Sequence, residues 1–348
     1  MSNLSFDNLE AAIEEQLRQN LFSGVIHIAH NEKILFSHAY GLANRSDRLP
    51  NRLNTRFGIA SGGKIFTATA ILQLIAEGRL SLDQYLREII PDLPSNLDPG
   101  VTIEQLLTHT SGIPDYFDEE TESDYEVCWK TTPVYRMLSA YDFLPLIKDK
   151  KMKFTPGERF AYSNLGFVLL GLIVEKISGM RFQNYIEEKI FGPAWMRSSG
   201  YFSNDRLPEH CATGYIIDAD KNWRSHLFSI PIVGHGDGGT YTTAADIGRF
   251  WKALLSKTYF DEGLLTQMTA PQVRASPNSS SNYGYGVWID EIVGENCLSI
   301  VGEDPGVEFS SEFYPSSKLQ ITLLANENGA LWQMSKIIRS EIFGLDQD

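Results

Sequence analysis

The sequence has few cysteines and no long apolar run. Its three cysteines, Cys128, Cys211 and Cys297, are odd in number, lie far apart and form no C-x-x-C pair, so they indicate neither a disulfide framework nor a metal site. No stretch reaches the about 18 apolar residues of a transmembrane helix. The polar, acidic N-terminus lacks the basic and apolar regions of a signal peptide. We therefore expect reduced thiols, a cytoplasmic location and no membrane partner.

Positive charge is also scarce. The chain carries 30 Lys and Arg residues against 44 Asp and Glu residues, a formal net charge of -14. Such an acidic field repels phosphate backbones and disfavours nucleic acid as a partner. Hydrophobic residues make up 43% of the 348 residues, enough for a globular fold of one large two-lobed unit or two smaller domains.

Hydrophobic periodicity predicts strands near both ends of the chain and helices between them. Helical spacing at residues 8–18 leads into two strand-like runs that form a hairpin, and apolar helices are expected in the middle of the chain. Strand patterns return late, before a last helix. The predicted strands are residues 24–30, 33–40, 285–289, 307–314 and 319–325, and the main helices are residues 65–77, 165–177 and 332–343.

This order predicts an α/β (α+β) fold, with an antiparallel sheet built from both termini, flanked by helices, plus a helical lobe. We expect one catalytic unit over residues 1–348. Its α/β lobe would comprise residues 1–60 and 236–348, and its mostly helical lobe residues 61–235.

The strongest chemical signal is the pair Ser61 and Lys64. Residues three apart at the start of a helix face the same way, so the lysine amine can reach the serine hydroxyl. A serine becomes a nucleophile when a base removes its proton, and a lysine serves as that base if burial lowers its pKa. Taken alone, the S-x-x-K spacing equally describes a capping serine followed by a solvated lysine.

The surrounding sequence favours the catalytic interpretation of Ser61 and Lys64 over the capping one. The residues around Ser61 resemble the nucleophile segment of the penicillin-recognising serine hydrolases, in the branch of class C β-lactamases, D-alanyl-D-alanine carboxypeptidases and β-lactamase-like esterases. Further segments with the family's pattern follow in the family's order over nearly the whole chain. The matching segments are residues 55–68, 106–112, 154–164, 238–246 and 283–286.

The resemblance implies a β-lactamase/transpeptidase-like fold and a role for the Y-x-N motif. Tyr162 would act with Lys64 in taking the serine proton and protonating the leaving group, and Asn164 would present its amide to the substrate and to Lys64. The alternatives are a core aromatic at Tyr162 and a helix cap at Asn164, which is compatible with catalysis.

The family's third motif, K-T-G or H-x-G, is broken. Alignment on Pro305-Gly306 keeps Gly302 but places Ile300 at the Lys or His position and Val301 at the hydroxyl position. The oxyanion hole is expected from the backbone N–H groups of Ser61 and Glu303, which do not depend on the side chain. Loss of the cation puts penicillin and D-Ala-D-Ala chemistry in doubt.

Two histidines and one acidic loop remain. His235, in a Gly-rich loop, is either a turn residue or a substrate-binding group that replaces part of the third motif. His109 could belong to a Ser-His-Asp triad, but no G-x-S-x-G elbow occurs and the resemblance assigns it to a structural turn. The acidic stretch of residues 118–124 is either a solvated loop or a border of the cleft.

These observations predict a serine hydrolase that forms an acyl-enzyme on Ser61 and acts on small esters, amides or peptides, without metal or cofactor. One alternative is a catalytically impaired binding module of the same fold, which Ile300 and Val301 support. A β-lactamase or D-alanyl-D-alanine carboxypeptidase is another.

Overall fold

An eight-stranded antiparallel sheet organises the computed structural model, which describes residues 4–19 and 22–345. The strands of the described part of the chain are β1 Gly24–His30, β2 Lys33–Tyr40, β3 Leu42–Asn44, β4 Leu49–Pro50, β5 Phe57–Gly58, β6 Tyr215–Ile217, β7 Trp223–Ser225, β8 Tyr241–Thr242, β9 Val273–Arg274, β10 Asn282–Tyr283, β11 Trp288–Ile292, β12 Glu295–Asp304, β13 Val307–Tyr314 and β14 Leu319–Ala325. The sheet order is β2-β1-β14-β13-β12-β11-β10-β9. The predicted antiparallel sheet from both termini is confirmed.

Helices cover both faces of this sheet. They are α1 Leu9–Gln19, α2 Lys64–Ala76, α3 Leu86–Ile89, α4 Ile103–Leu107, α5 Asn164–Ser178, α6 Phe182–Tyr185 with the π-helical continuation Ile186–Phe191, α7 Ala244–Leu255, α8 Glu262–Thr269 and α9 Leu331–Phe343. Short 3₁₀ turns occur at Ala60–Gly63, Tyr125–Trp129, Val134–Arg136, Ala140–Leu146 and His226–Phe228. None of the helices in the described ranges combines the length and apolarity needed to span a bilayer.

Two hydrophobic cores follow from the alternation of the central strands. Ile321 and Leu323 of β14 pack with Ile13 of α1 and Ile338 of α9, so α1 and α9 cover one face. On the other face, the larger core contains Leu324 of β14 together with α2, α5 and α7. The largely buried helices α2 and α5 pack against each other, and the residues at their N-termini lie close together.

Most predicted boundaries agree with the structure, and one strand does not. Strands β13 and β14 have the predicted bounds, whereas the strand expected at residues 285–289 is wrong, because the observed strand is Trp288–Ile292. Gly286 explains the shift: its φ is +75°, and a Cβ there would lie 2.7 Å from the Cβ of Ala68 in α2. The chain bends to approach the helix before it enters the sheet. The division into two lobes stays a prediction.

Asn326, directly after β14, joins segments that lie far apart in the sequence. Its Nδ2 donates to the carbonyl of Leu42 at 2.9 Å and to that of Thr213 at 2.8 Å, and its Oδ1 accepts from the hydroxyl of Ser23 at 2.8 Å. The side chain is 3% exposed. One buried amide therefore satisfies polar groups from three separate segments.

We expect Asn326→Ala to lower the free energy of unfolding by about 2–3 kcal/mol, because it leaves buried carbonyl groups without donors. Urea unfolding followed by circular dichroism measures the change. The exposed Asn278→Ala is the control and should shift the free energy by less than about 0.5 kcal/mol. Equal effects of the two substitutions would contradict the role given to Asn326.

Candidate active site

Ser61 and Lys64 meet where the 3₁₀ turn Ala60–Gly63 runs into α2. The Lys64 Nζ donates to the Ser61 Oγ at 2.8 Å, as the three-residue spacing predicts. Ala60 enters the turn with a φ of +46°, a conformation rare for a residue with a side chain. Ser61 is half-buried and lines the main cavity, while Lys64 is only 2% exposed. The alternative interpretation of Lys64 as a solvated lysine is therefore wrong.

The Lys64 amine is held by acceptors from three segments. Besides Ser61, it donates to the Oδ1 of Asn164 and to the backbone carbonyl of Asp237, each at 2.8 Å. Burial lowers the pKa of Lys64, while the carboxylates of Asp237 and Glu119 act in the opposite direction. An amine with a lowered pKa and a direct contact to a serine hydroxyl has the properties of a general base.

Tyr162 completes the contact set around the serine. Its phenol lies near enough to Ser61 for that hydroxyl to affect its pKa, and its ring centroid lies 4.9 Å from the Lys64 Nζ. Burial, and next the charge of Glu119, raise the pKa of Tyr162 well above its ordinary value. The phenol therefore stays protonated, which favours a role in passing on a proton over one as a standing phenolate base.

His109 positions Tyr162 and does not contact Ser61. The His109 Nδ1 accepts the backbone N–H of Ser163 at 3.0 Å. The ring centroids of His109 and Tyr162 lie 4.3 Å apart. The residue is 1% exposed and has a φ of +56°. Burial, and next the charge of Lys64, lower the pKa of His109 well below its ordinary value. The geometry favours the structural turn over the triad.

Asn164 both begins α5 and binds Lys64. Ser163 caps the helix by accepting the N–H of Gly166 at 3.1 Å, and the Asp115 carboxylate accepts the N–H groups of Asn164 and Leu165. Burial raises the pKa of Asp115 to about 7, against these backbone donors. The cap of α5 is Ser163, so the interpretation of Asn164 as the helix cap is wrong, whereas its side chain does contact Lys64.

Sequence reasoning missed Asp115 and the contact of Glu119 with Asn164. The Nδ2 of Asn164 donates to the Oε1 of Glu119 at 3.1 Å, and Glu119 lines the cavity. For this residue, the acidic stretch borders the cleft. Its neighbours Asp118 and Glu120 pair instead with Lys153, each at 2.7 Å. No local motif marks these acids, because their partners are distant in sequence.

Gly302 lets β12 approach the serine. Strand β12 pairs with β11 only up to Ser299, so residues 300–304 extend beyond it, along the Ser61 turn. A Cβ on Gly302 would lie 2.1 Å from the carbonyl oxygen of Ile59 and 2.9 Å from the Ser61 nitrogen. Glu303 lines the cavity next to this contact, where the backbone oxyanion hole was predicted. Ile300 is 2% exposed and belongs to the core.

A cavity of about 650 Å³ opens beside Ser61 and includes His235, Asp237 and Asp304 in its walls. His235 is 4% exposed and its ring packs against Phe143, with centroids 5.3 Å apart. Within the residues that the structure describes, no group of three or more His, Cys, Asp and Glu side chains could hold a metal ion. The arrangement suits covalent chemistry on a serine.

Comparisons with known proteins agree with this geometry. The family model described as Beta-lactamase matches residues 9–339. Penicillin-binding protein 4* of Bacillus subtilis (strain 168) is 29% identical over 299 residues, which cover 81% of this chain and 62% of that protein. The chain thus spans less than two thirds of the length of this relative.

Solved structures give the same result. A penicillin binding protein from Bacillus halodurans is 43% identical with a TM-score of 0.89, covering 95% of this chain and 99% of that one. The octameric penicillin-binding protein homologue from Pyrococcus abyssi is 28% identical with a TM-score of 0.84, covering 96% of this chain and 76% of that one. The predicted β-lactamase/transpeptidase-like fold is confirmed.

We expect Gly302→Ala to lower kcat/KM for a neutral ester by about 100-fold or more, because the added methyl group forces β12 away from the Ser61 turn. Steady-state kinetics and a thermal melt measure activity and folding. Gly58→Ala is the matched control, since its Cβ meets its nearest neighbour at an ordinary 3.6 Å. Full activity of a folded Gly302→Ala protein would disprove the close contact.

We expect the acidic limb of the pH profile of kcat/KM to move to lower pH in Glu119→Gln. The limb reports loss of the Lys64 proton, and the Glu119 charge stabilises the ammonium form, so its removal lowers the Lys64 pKa. A neutral ester keeps substrate charge out of the comparison. Glu122→Gln, which changes the net charge equally, should leave the limb in place, and a shift to higher pH in Glu119→Gln would contradict the assignment.

Proposed function

The chain belongs to the beta-lactamase family of serine hydrolases, and from this premise we propose that it forms an acyl-enzyme on Ser61 and hydrolyses small esters or amides. The observation that carries the proposal is the buried Lys64 amine, which hydrogen-bonds to Ser61 and Asn164 in the cavity wall and lies beside the ring of Tyr162. A binding role alone gives no physical reason for a buried amine to contact a serine hydroxyl.

In the first step, the neutral Lys64 amine takes the Ser61 proton as the oxygen attacks the carbonyl carbon of the substrate. The negative charge that develops on the carbonyl oxygen would be held by the backbone N–H groups of Ser61 and Glu303. The close approach of Gly302 to the Ser61 nitrogen supports this placement. The tetrahedral intermediate then collapses to the acyl-enzyme and releases the alcohol or amine.

Tyr162 would carry the proton to the leaving group. Its protonated phenol lies near Ser61 and beside Lys64, so a proton can pass from the ammonium through the phenol to the departing oxygen or nitrogen. In deacylation the same groups would work in reverse on a water molecule. Asn164 would keep Lys64 oriented in both steps.

The cavity supports small ester, amide or peptide substrates, including peptides with D-residues. Its volume of about 650 Å³ suits a ligand of drug size or smaller. Ile300 is buried where the family carries a cation, and Gly302 retains the shape of the strand. His235 would contribute to substrate binding as a buried imidazole in the cavity wall.

Acylation by penicillin is the second candidate function. The relative from Bacillus halodurans, at 43% identity, bears the name of a penicillin binding protein. Against it stands the missing cation at Ile300, since a penicillin carries a carboxylate. A third candidate function is ligand binding without turnover, which the altered third motif supports.

We expect a fluorophosphonate probe to label the wild-type protein on Ser61 and p-nitrophenyl acetate and butyrate to be hydrolysed. Ser61→Ala should lose both activities, because it removes the nucleophile. Intact-protein mass spectrometry and release of p-nitrophenol measure the two. The exposed Ser280→Ala, outside the cavity wall, is the control and should keep both.

Labelling of Ser61→Ala at the wild-type rate, or no labelling of the wild-type protein, would refute the proposal. A benzylpenicillin arm of the same experiment separates the candidates. A stable adduct on Ser61 with benzylpenicillin but no ester turnover would favour the penicillin-acylated protein over the hydrolase.

A further inference from the structure

The cavity beside Ser61 is lined by negative charge. Asp237, Asp304 and Glu119 surround it close enough to affect the Lys64 pKa, and no lysine or arginine within the described ranges lines it. Glu119 and Asp237 have partners of their own, because the Nδ2 of Asn164 donates to Glu119 and the hydroxyl of Tyr116 donates to Asp237 at 2.5 Å.

Asp304 differs from these residues. In the part of the chain that the structure describes, its carboxylate makes no hydrogen bond or ion pair with another side chain, and only its backbone carbonyl accepts a donor. Burial, and next the charge of Asp237, raise the pKa of Asp304 to about 7. The residue is half-buried, so its carboxylate reaches the cavity and has no protein donor within the described residues.

The position of Asp304 is rigid. It ends β12 and pairs with Val307 across a two-residue turn, in which Gly306 has a φ of +76°. The Asn328 side chain fixes this turn, because its Nδ2 donates to the carbonyl of Asp304 at 3.1 Å and its Oδ1 accepts the N–H of Gly306. The carboxylate is therefore held one residue beyond Glu303.

A second unsatisfied acceptor lies in the same cavity wall. The His235 Nε2 has no partner within the described residues. The residue is 4% exposed, and burial lowers its pKa, so the ring is neutral; the Met137 backbone beside it favours the proton on Nδ1, which leaves Nε2 as the acceptor. Asp304 and His235 together give the cavity acceptors that need donors.

We propose that Asp304 is a specificity-determining residue and that its carboxylate binds a protonated amine of the substrate. This inference rests on the proposed hydrolase function and names the charge of its substrate. Ile300 occupies the position where the family has a cation, so the described wall offers a substrate carboxylate no positive partner. The site is thereby built for the opposite charge.

Two isosteric ester pairs test the proposal. Methyl alaninate and methyl isobutyrate differ by an ammonium in place of a methyl group on the acyl side, and protonated 2-(dimethylamino)ethyl acetate and 3-methylbutyl acetate differ by an N–H⁺ in place of a C–H on the leaving-group side. For at least one pair, the wild-type protein should have a higher kcat/KM for the cationic ester. Asp304→Asn should lower the cationic-to-neutral ratio of kcat/KM by about tenfold or more.

Glu122→Gln is the matched control. It also removes one negative charge from the cavity wall, but the exposed Glu122 carboxylate is solvated and already accepts the backbone N–H of Asp118 at 2.9 Å, so it gains little from binding a substrate cation. The ratio should stay within about twofold of wild type. Asp304→Ser provides a second variant should Asp304→Asn fail to fold, and Asp304→Glu should keep part of the preference.

The outcomes separate this inference from the function on which it rests. If Ser61 is labelled and both members of a pair are hydrolysed, an unchanged ratio in Asp304→Asn, or a wild-type preference for the neutral esters of both pairs, overturns the role of Asp304 alone. An equal loss for cationic and neutral esters also overturns it. Absence of Ser61 labelling and of all ester turnover overturns the hydrolase function and this inference together.

Discussion

A lysine amine almost completely removed from water is the constraint on which the rest of the site depends. Such a group is costly to bury unless each of its protons finds an acceptor. Three segments supply these acceptors: the turn before α2 through Ser61, the start of α5 through Asn164, and a glycine-rich loop through Asp237. The satisfaction of one amine thus fixes the relative positions of the groups that would do the chemistry.

Helices α2 and α5 bring their N-termini to this amine because both are core helices of the fold. Both α2 and α5 are apolar on nearly every side, so their N-termini are fixed by the core and not by the cleft. Strand β12 contributes from the opposite side by extending past its neighbour β11, with Gly302 against the Ser61 turn. Side chains on rigid elements keep their geometry without a ligand, which is the requirement of a preorganised site.

The sequence predicted contacts between residues that are close in the chain and missed contacts between residues that are far apart in the chain. The S-x-x-K spacing places Ser61 against Lys64 within one helical turn, and alternation gave the bounds of β13 and β14. The contact of Glu119 with Asn164 spans 45 residues, and the lack of a side-chain partner for the Asp304 carboxylate is a property of the folded arrangement of the described residues. No local pattern encodes either property. The prediction of a strand at residues 285–289 was wrong because Gly286 packs against α2 and does not pair with a neighbouring strand.

The pairing of β1 with β14 has a consequence for synthesis. The Ser23 hydroxyl and the Asn326 side chain, which close this end of the sheet, are 303 residues apart in the sequence. At about 5–20 residues per second, a ribosome needs roughly 15–60 s to make the chain between them. During that interval the inner edge of the N-terminal hairpin lacks its native neighbour and stays open to pairing with other chains. The completed sheet is therefore one of the last structures that a nascent molecule can acquire.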